Sequence, residues 1–210
     1  MHTLALLLPL ALAGSTDTPR VLWTTPISSH SFGSGAIADA DGDGNLDVAF
    51  ASYFGDAKVR VLRGKDGSEL WSYHDPDPKR DDCYDASLRF ADLGDGKLSL
   101  VVPCSSGCRV LAFDAATGAV KWNTYLGDGE CIDTPPWIGT IDGALRVVVG
   151  TFKGRLHVID GRTPHSVGPM PSRMLLPRAR VMWKPPGATR ATTAAAWPTS
   201  INDPPCAARG

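Results

Sequence analysis

From about residue 36 to residue 160 the chain is written in short runs where Val, Ile, Leu and aromatic side chains alternate with polar ones. A period of two predicts half-buried β-strands. Asp/Gly-rich turns separate the runs, and the pattern repeats. "AIADADGDGNLDVAFAS" (36–52), "LRFADLGDGKLSLVVP" (88–103) and "WIGTIDGALRVVVGT" (137–151) each place an Asp/Gly loop between two apolar stretches. Each is followed by a second such pair: "VRVLRGKDGSELW" (59–71), "CRVLAFDAATGAVKW" (108–122) and the start of a third, "RLHVIDGRT" (155–163).

Each unit therefore predicts four short antiparallel strands. A lone four-stranded sheet cannot bury both of its faces, so such units stack around an axis as blades of a β-propeller. A β-sandwich would also use short strands, but Trp71 and Trp122 recur at one position in the unit, each nine residues after Leu62 or Phe113. That is the expectation for a side chain that wedges each blade against the next. The predicted fold is all-β: two complete blades and one partial blade over residues 20–163. Val21-Leu22-Trp23 reads as the outermost strand of a blade whose other strands are missing. After Thr163 the repeat calls for a strand with a Trp near position 168, and the chain instead reads "PHSVGPMPSRMLLPRARVMW". Residues 164–210 are predicted to be a disordered Pro/Arg-rich tail, since so little apolar surface cannot offset the ordering entropy. The tail reads either as a basic arm for an acidic partner or as the product of a truncated or misread frame.

Composition agrees with a turn-rich β protein: 22 Gly and 17 Pro in 210 residues, well above the average share. The formal charge of −1 removes any global basic field, so nucleic-acid or anionic-membrane binding driven by net charge is not expected. Leu4 to Leu12 is apolar but far shorter than the roughly 20 residues that span a bilayer. Ala11-Leu12-Ala13 offers small residues at the −3 and −1 positions of a cleavage site, so residues 1–13 read as a signal peptide and the protein as secreted or extracytoplasmic. Only His2, and no Lys or Arg, precedes the run, which leaves a buried strand or an uncleaved anchor as the alternatives.

Two family resemblances attach to these residues. "LAFDAATGAVKW" (111–122) resembles the PQQ-like, quinoprotein-type propeller repeat, and "IADADGDGNLDVAFAS" (37–52) resembles the FG-GAP/VCBS repeat of integrin-like propellers with its calcium loop. "CYDAS" (83–87) and "CIDTP" (131–135) occupy matching positions, a recurrent entry to the innermost strand in some PQQ-like repeats. The quinoprotein resemblance implies, as an alternative function, a fragment of a PQQ-dependent dehydrogenase. Those enzymes combine vicinal cysteines, a cofactor-touching calcium and a catalytic Asp on about eight blades, whereas no two cysteines are adjacent here.

One motif carries explicit chemistry. Asp39, Asp41, Asp43 and Asp47 stand at loop positions 1, 3, 5 and 9, with Gly44 at the sharp turn and the Asn45 carbonyl at position 7. Hard anionic oxygens at this spacing suit the six to eight ligands of Ca2+, and four like charges so close would repel without a cation. Position 12 is Phe50 instead of the bidentate Glu of an EF-hand, and the flanks read as strands. The later loops, Asp92–Gly96 and Thr140–Gly143, have lost ligands and read as ordinary turns.

In an oxidising compartment the five cysteines suggest disulfides. With Cys206 in the tail, Cys83, Cys104, Cys108 and Cys131 allow three pairings. Cys104 and Cys108 flank a short turn that would bring their Cα atoms within the ~7 Å a disulfide needs, and this pair is favoured over the alternative of four buried thiols. His30, Cys83 and Cys131 are expected at comparable places near the axis, as core positions or as a pocket. The charged segment from Asp75 to Asp85 reads as a solvated loop between blades. No hydrolase or phosphate-binding motif occurs. The functional expectation is a secreted, calcium-binding propeller acting as a non-catalytic binding or scaffold module for a protein or glycan, with no transmembrane segment. Unpaired blade edges point to an oligomer or to missing blades from a longer chain. A truncated product without activity of its own is the remaining alternative.

Overall fold

A computed structural model describes residues 18–77, 82–84, 86–162 and 166–169. The predicted signal peptide and all of the predicted tail except 166–169 lie outside these residues. Among the described residues, twelve strands form three four-stranded antiparallel sheets. The first holds β1 (Ala36–Ala38), β2 (Asp47–Ala51), β3 (Val59–Arg63) and β4 (Glu69–Tyr73) in sequence order. The second holds β5 (Arg89–Asp92), β6 (Leu98–Cys104), β7 (Arg109–Asp114) and β8 (Val120–Tyr125). The third holds β9 (Trp137–Ile141), β10 (Ala144–Gly150), β11 (Leu156–Asp160) and β12 (Ser166–Pro169). These are propeller blades in meander order, with β1 and β5 side by side at the inner edge.

The registers show why the units repeat. Ile37 pairs with Val48 and Val48 with Leu62 in the first blade; Phe90, Leu100 and Phe113 form the same row in the second. Between β3 and β4 the register slips, so that Val61 faces Trp71 and Leu62 faces Glu69. β7 and β8 slip identically, with Ala112 facing Trp122 and Phe113 facing Val120. The nine-residue spacing seen in the sequence is thus the trace of a conserved bulge geometry within this chain, which turns each Trp toward the following blade.

The core lies between blades, where flat faces meet. Ala49, Val61 and Trp71 pack on Leu100, Val102, Leu111 and Phe113. Val101, Val110, Ala112 and Trp122 pack on Ile132, Val147, Val149 and Ile159. The Trp71 indole N–H donates to the Ala115 carbonyl at 2.7 Å, and its ring lies 5.6 Å from that of Phe113. Each such Trp contributes the burial of a large aromatic, worth roughly 1.5–3 kcal/mol.

The third blade departs from expectation. The sequence places the start of a structureless tail at Pro164, yet β12 pairs antiparallel with β11, matching Ile159 to Ser166 and His157 to Pro169 across a register shift. The alternation was too short and too proline-flanked to signal a strand. Counting from the Ile159–Ser166 pair, the wedge position falls on Gly168, so this strand carries no Trp.

Candidate metal centre

The loop from Asp39 to Leu46 joins the two inner strands of the first blade. Gly42 and Gly44 turn the chain with φ of 79° and 88°, values open to glycine at little cost. The backbone then curls around its own carboxylates. Asp39 accepts the amides of Gly42 (2.9 Å) and Gly44 (3.0 Å), Asp41 that of Asp43 (3.2 Å), and Asp43 that of Asn45 (2.7 Å). One carboxylate oxygen from each of Asp39, Asp41 and Asp43 lies within 4.8 Å of the others. Asp41 and Asp43 are exposed and Asp39 is half-buried, so the cluster opens to solvent.

Asp47 and Asn45 also make bonds within the loop. Asp47 is buried and its Oδ2 accepts the Ala40 amide at 3.0 Å, tying the start of β2 to the end of β1. The Asn45 side-chain amide donates to Asp43 at 3.1 Å. The Asn45 backbone amide, followed by that side-chain amide, holds the Asp43 carboxyl below its ordinary value. Oxygens of Asp39, Asp41 and Asp43 thus lie together, with Asp47 and Asn45 in the same loop.

The corresponding loop of the second blade is held by a lysine. Asp92 accepts the amides of Gly94, Asp95 and Gly96, and Asp95 is paired with Lys121 Nζ at 2.6 Å.

The expected Cys104–Cys108 disulfide is absent: Cys83, Cys104, Cys108 and Cys131 are buried thiols. The register explains the failure. Cys104 faces Arg109 across β6 and β7, while Cys108 sits in the turn at φ 52° with its thiol donating to the Ser106 carbonyl. Cys104 instead packs over Gly107 beside Asp82, and burial, then the Asp82 charge, push its thiol well above the usual range.

The equivalence of His30, Cys83 and Cys131 holds in the backbone. Their carbonyls accept the amides of Tyr53, Ser105 and Phe152, the matching residue after the second strand of each blade, at 2.8–3.0 Å. Their side chains do not share a setting: His30 stacks on Tyr53 with ring centroids 4.7 Å apart, whereas both cysteines are buried.

A further set escaped the sequence reading. Next to the inner hairpin of the first blade, Arg60 makes a two-pronged contact with buried Asp56 at 2.5 and 2.8 Å, and Ser52 joins at 2.5 Å. The third blade has a counterpart in Glu130, which is buried and held by Thr151 (2.5 Å), Arg155 and His157 (3.2 Å). Arg60 bonding holds Asp56 below its ordinary value against the opposing effect of burial. Burial pushes Glu130 up, but the Thr151, His157 and Arg155 contacts outweigh it and leave the carboxyl lowered. The available signal was the acid that precedes the matching cysteines, Asp82 before Cys83 and Glu130 before Cys131. A groove of about 420 Å³ at the inner edge is flanked by β1 and β5 and lined by Ser34, Ile37, Arg89, Phe90 and Pro135.

With the geometry in hand, solved structures give the fold a reference. The chain superposes on BamB from Moraxella catarrhalis with a TM-score of 0.50 and 19% identity, covering 69% of this chain and 38% of that one. Its fold is that of part of a β-propeller. A quinohemoprotein alcohol dehydrogenase from Comamonas testosteroni is similar at TM-score 0.47 and 16% identity, covering 69% of this chain and 21% of that one. A europium-containing methanol dehydrogenase follows at TM-score 0.43 and 20% identity, over 67% and 26%. The chain spans well under half the length of these propellers. No protein-family model and no curated protein sequence matches it. Among the described residues no helix is long and apolar enough to cross a membrane.

Proposed function

We propose that the protein is a secreted or extracytoplasmic, calcium-braced propeller module that binds a protein or glycan partner and performs no chemistry itself. The observation that carries this reading is the convergence of Asp39, Asp41 and Asp43 oxygens within 4.8 Å on a loop of FG-GAP-like spacing. Ca2+ would occupy the focus of these carboxylates, with water completing its shell, and would cross-brace β1 and β2. The role is structural: the loop lies on the surface and presents no nucleophile beside the ion. Partner contact is assigned to the inner-edge groove, where ligands of this class of fold commonly sit.

A ligand that binds only the folded state at a hundredfold excess over its Kd stabilises by about 2.7 kcal/mol, roughly 5–10 °C for a unit of this size. The test is thermal melting in Ca2+ and in chelator. Calcium raises Tm in the wild type and leaves Asp41→Ala unchanged; identical wild-type melts in both buffers would remove the site.

A further inference from the structure

Four aromatic rings gather where the chain enters the first blade. His30 stacks on Tyr53 at 4.7 Å, Phe32 meets both of them edge-on with centroids 4.8 and 5.5 Å away, and Phe54 lies 4.6 Å from Tyr53. Phe32 is 73% exposed and Phe54 39%. The repeat itself does not require these rings. The carbonyl–amide bonds that equate His30 with Cys131, and Tyr53 with Ser105 and Phe152, set Phe32 against Asp133 and Phe54 against Ser106 and Lys153. Polar side chains therefore serve at the same backbone positions in the other blades. Asp133 is exposed even though the second blade stands before it and the Ser105 hydroxyl of that blade donates to it at 2.7 Å. The position thus faces solvent in a blade that has a neighbour on that side, and an aromatic cluster placed there marks a contact surface.

The rings border the inner-edge groove. Ser34, two residues beyond Phe32, lines that groove, and its amide donates to the Ser87 hydroxyl at 3.0 Å. That bond leaves the Ser87 proton available to a ligand. Arg89, at the start of β5, lines the same groove; it is exposed, and no carboxylate among the described residues pairs with it. A guanidinium takes a carboxylate through two parallel N–H bonds. The wall therefore combines a cation and a hydroxyl with aromatic surface at its rim. A sugar acid meets all three needs in one residue: its C–H face lies on a ring, its hydroxyls bond to serine and its carboxylate neutralises the arginine.

We infer that the groove and its aromatic rim bind an acidic saccharide, a glycan bearing uronic acid, with Phe32 as the stacking platform and Arg89 as the carboxylate partner. The inference rests on the assignment of partner contact to this groove and narrows that partner to one class.

The test is affinity electrophoresis of the full chain through native gels that contain hyaluronate or polygalacturonate, or the same polymers with their carboxylates reduced to alcohols. Both uronate polymers are expected to retard the wild type, and the reduced polymers to leave it unretarded. Arg89→Gln and Phe32→Ala change exposed side chains and keep the fold, verified by circular dichroism, and each raises Kd roughly tenfold or more. Asp41→Ala binds as the wild type does, because Asp41 lies outside the groove. No retardation by either polymer, equal retardation by the reduced forms, or unchanged binding in both groove variants would overturn the inference; so would loss of binding in Asp41→Ala, which would assign the contact to a calcium bridge. The calcium melt separates the two readings. Protein that gains Tm with calcium yet shows no retardation excludes the saccharide and keeps the calcium-braced module, and retardation without a calcium shift does the reverse.

Discussion

At Gly67 and Gly118 the chain takes φ of 73° and 72° beneath the indoles of Trp23 and Trp71. A β-carbon on Gly118 would lie 2.6 Å from the Trp71 ring, so the position needs glycine twice, for the turn and for the approach. Gly143 has a φ of 76° with nothing within 4 Å of a β-carbon and isolates the turn requirement alone. Gly143→Ala is expected to cost about 1 kcal/mol and Gly118→Ala roughly 2–4 kcal/mol in denaturant melts. Equal costs would mean that the Trp contact carries no weight.

The buried acids act at the same scale. Asp56 and Glu130 have folded-state values depressed below 3.8 and 4.5. Their stabilisation is therefore complete above about pH 5, where the unfolded carboxyls are already ionised, and is lost as pH falls through the lower folded values. Tm should decline steeply between pH 5 and 3, and the decline should be shallower in Glu130→Gln, whose Tm at pH 7 is already lower. A variant that tracks the wild type across this range would exclude Glu130 as a source.

At the level of elements, most of the architecture was legible. Alternation located β1 to β11, and the Asp/Gly turns separated them. The spacing from Leu62 to Trp71 encoded a bulge, and the wedge reading of Trp71 and Trp122 matches their burial between blades. What failed was any inference that needed side-chain direction. The Cys104–Cys108 pairing followed from sequence proximity, but a one-residue offset in the β6–β7 register puts Arg109 opposite Cys104. The Asp56–Arg60–Ser52 and Glu130–Thr151–Arg155–His157 clusters were illegible because their members are spread over up to 27 residues and meet only when the blade folds. In the acidic loop, oxygens of Asp39, Asp41 and Asp43 lie within 4.8 Å of one another, and Asp47, buried at the start of β2, accepts the Ala40 amide.

For the whole molecule, three blades make an arc whose stability depends on what covers its ends. Each internal interface is a full apolar layer, so two such layers tie the arc together, while Ile37 and Trp137 are exposed at its two ends. A cation at the Asp39–Asp43 loop would stiffen the first blade at the point where its inner hairpin is least supported by neighbours.

The most direct measurement of the central claim is a calcium titration of chelator-stripped protein by isothermal calorimetry. The wild type is predicted to bind one Ca2+ per chain, and Asp39→Asn, Asp41→Asn or Asp43→Asn to weaken or abolish that binding while leaving the β-sheet spectrum intact. Absence of a saturable heat in the wild type, or unchanged stoichiometry and affinity in all three variants, would contradict the account.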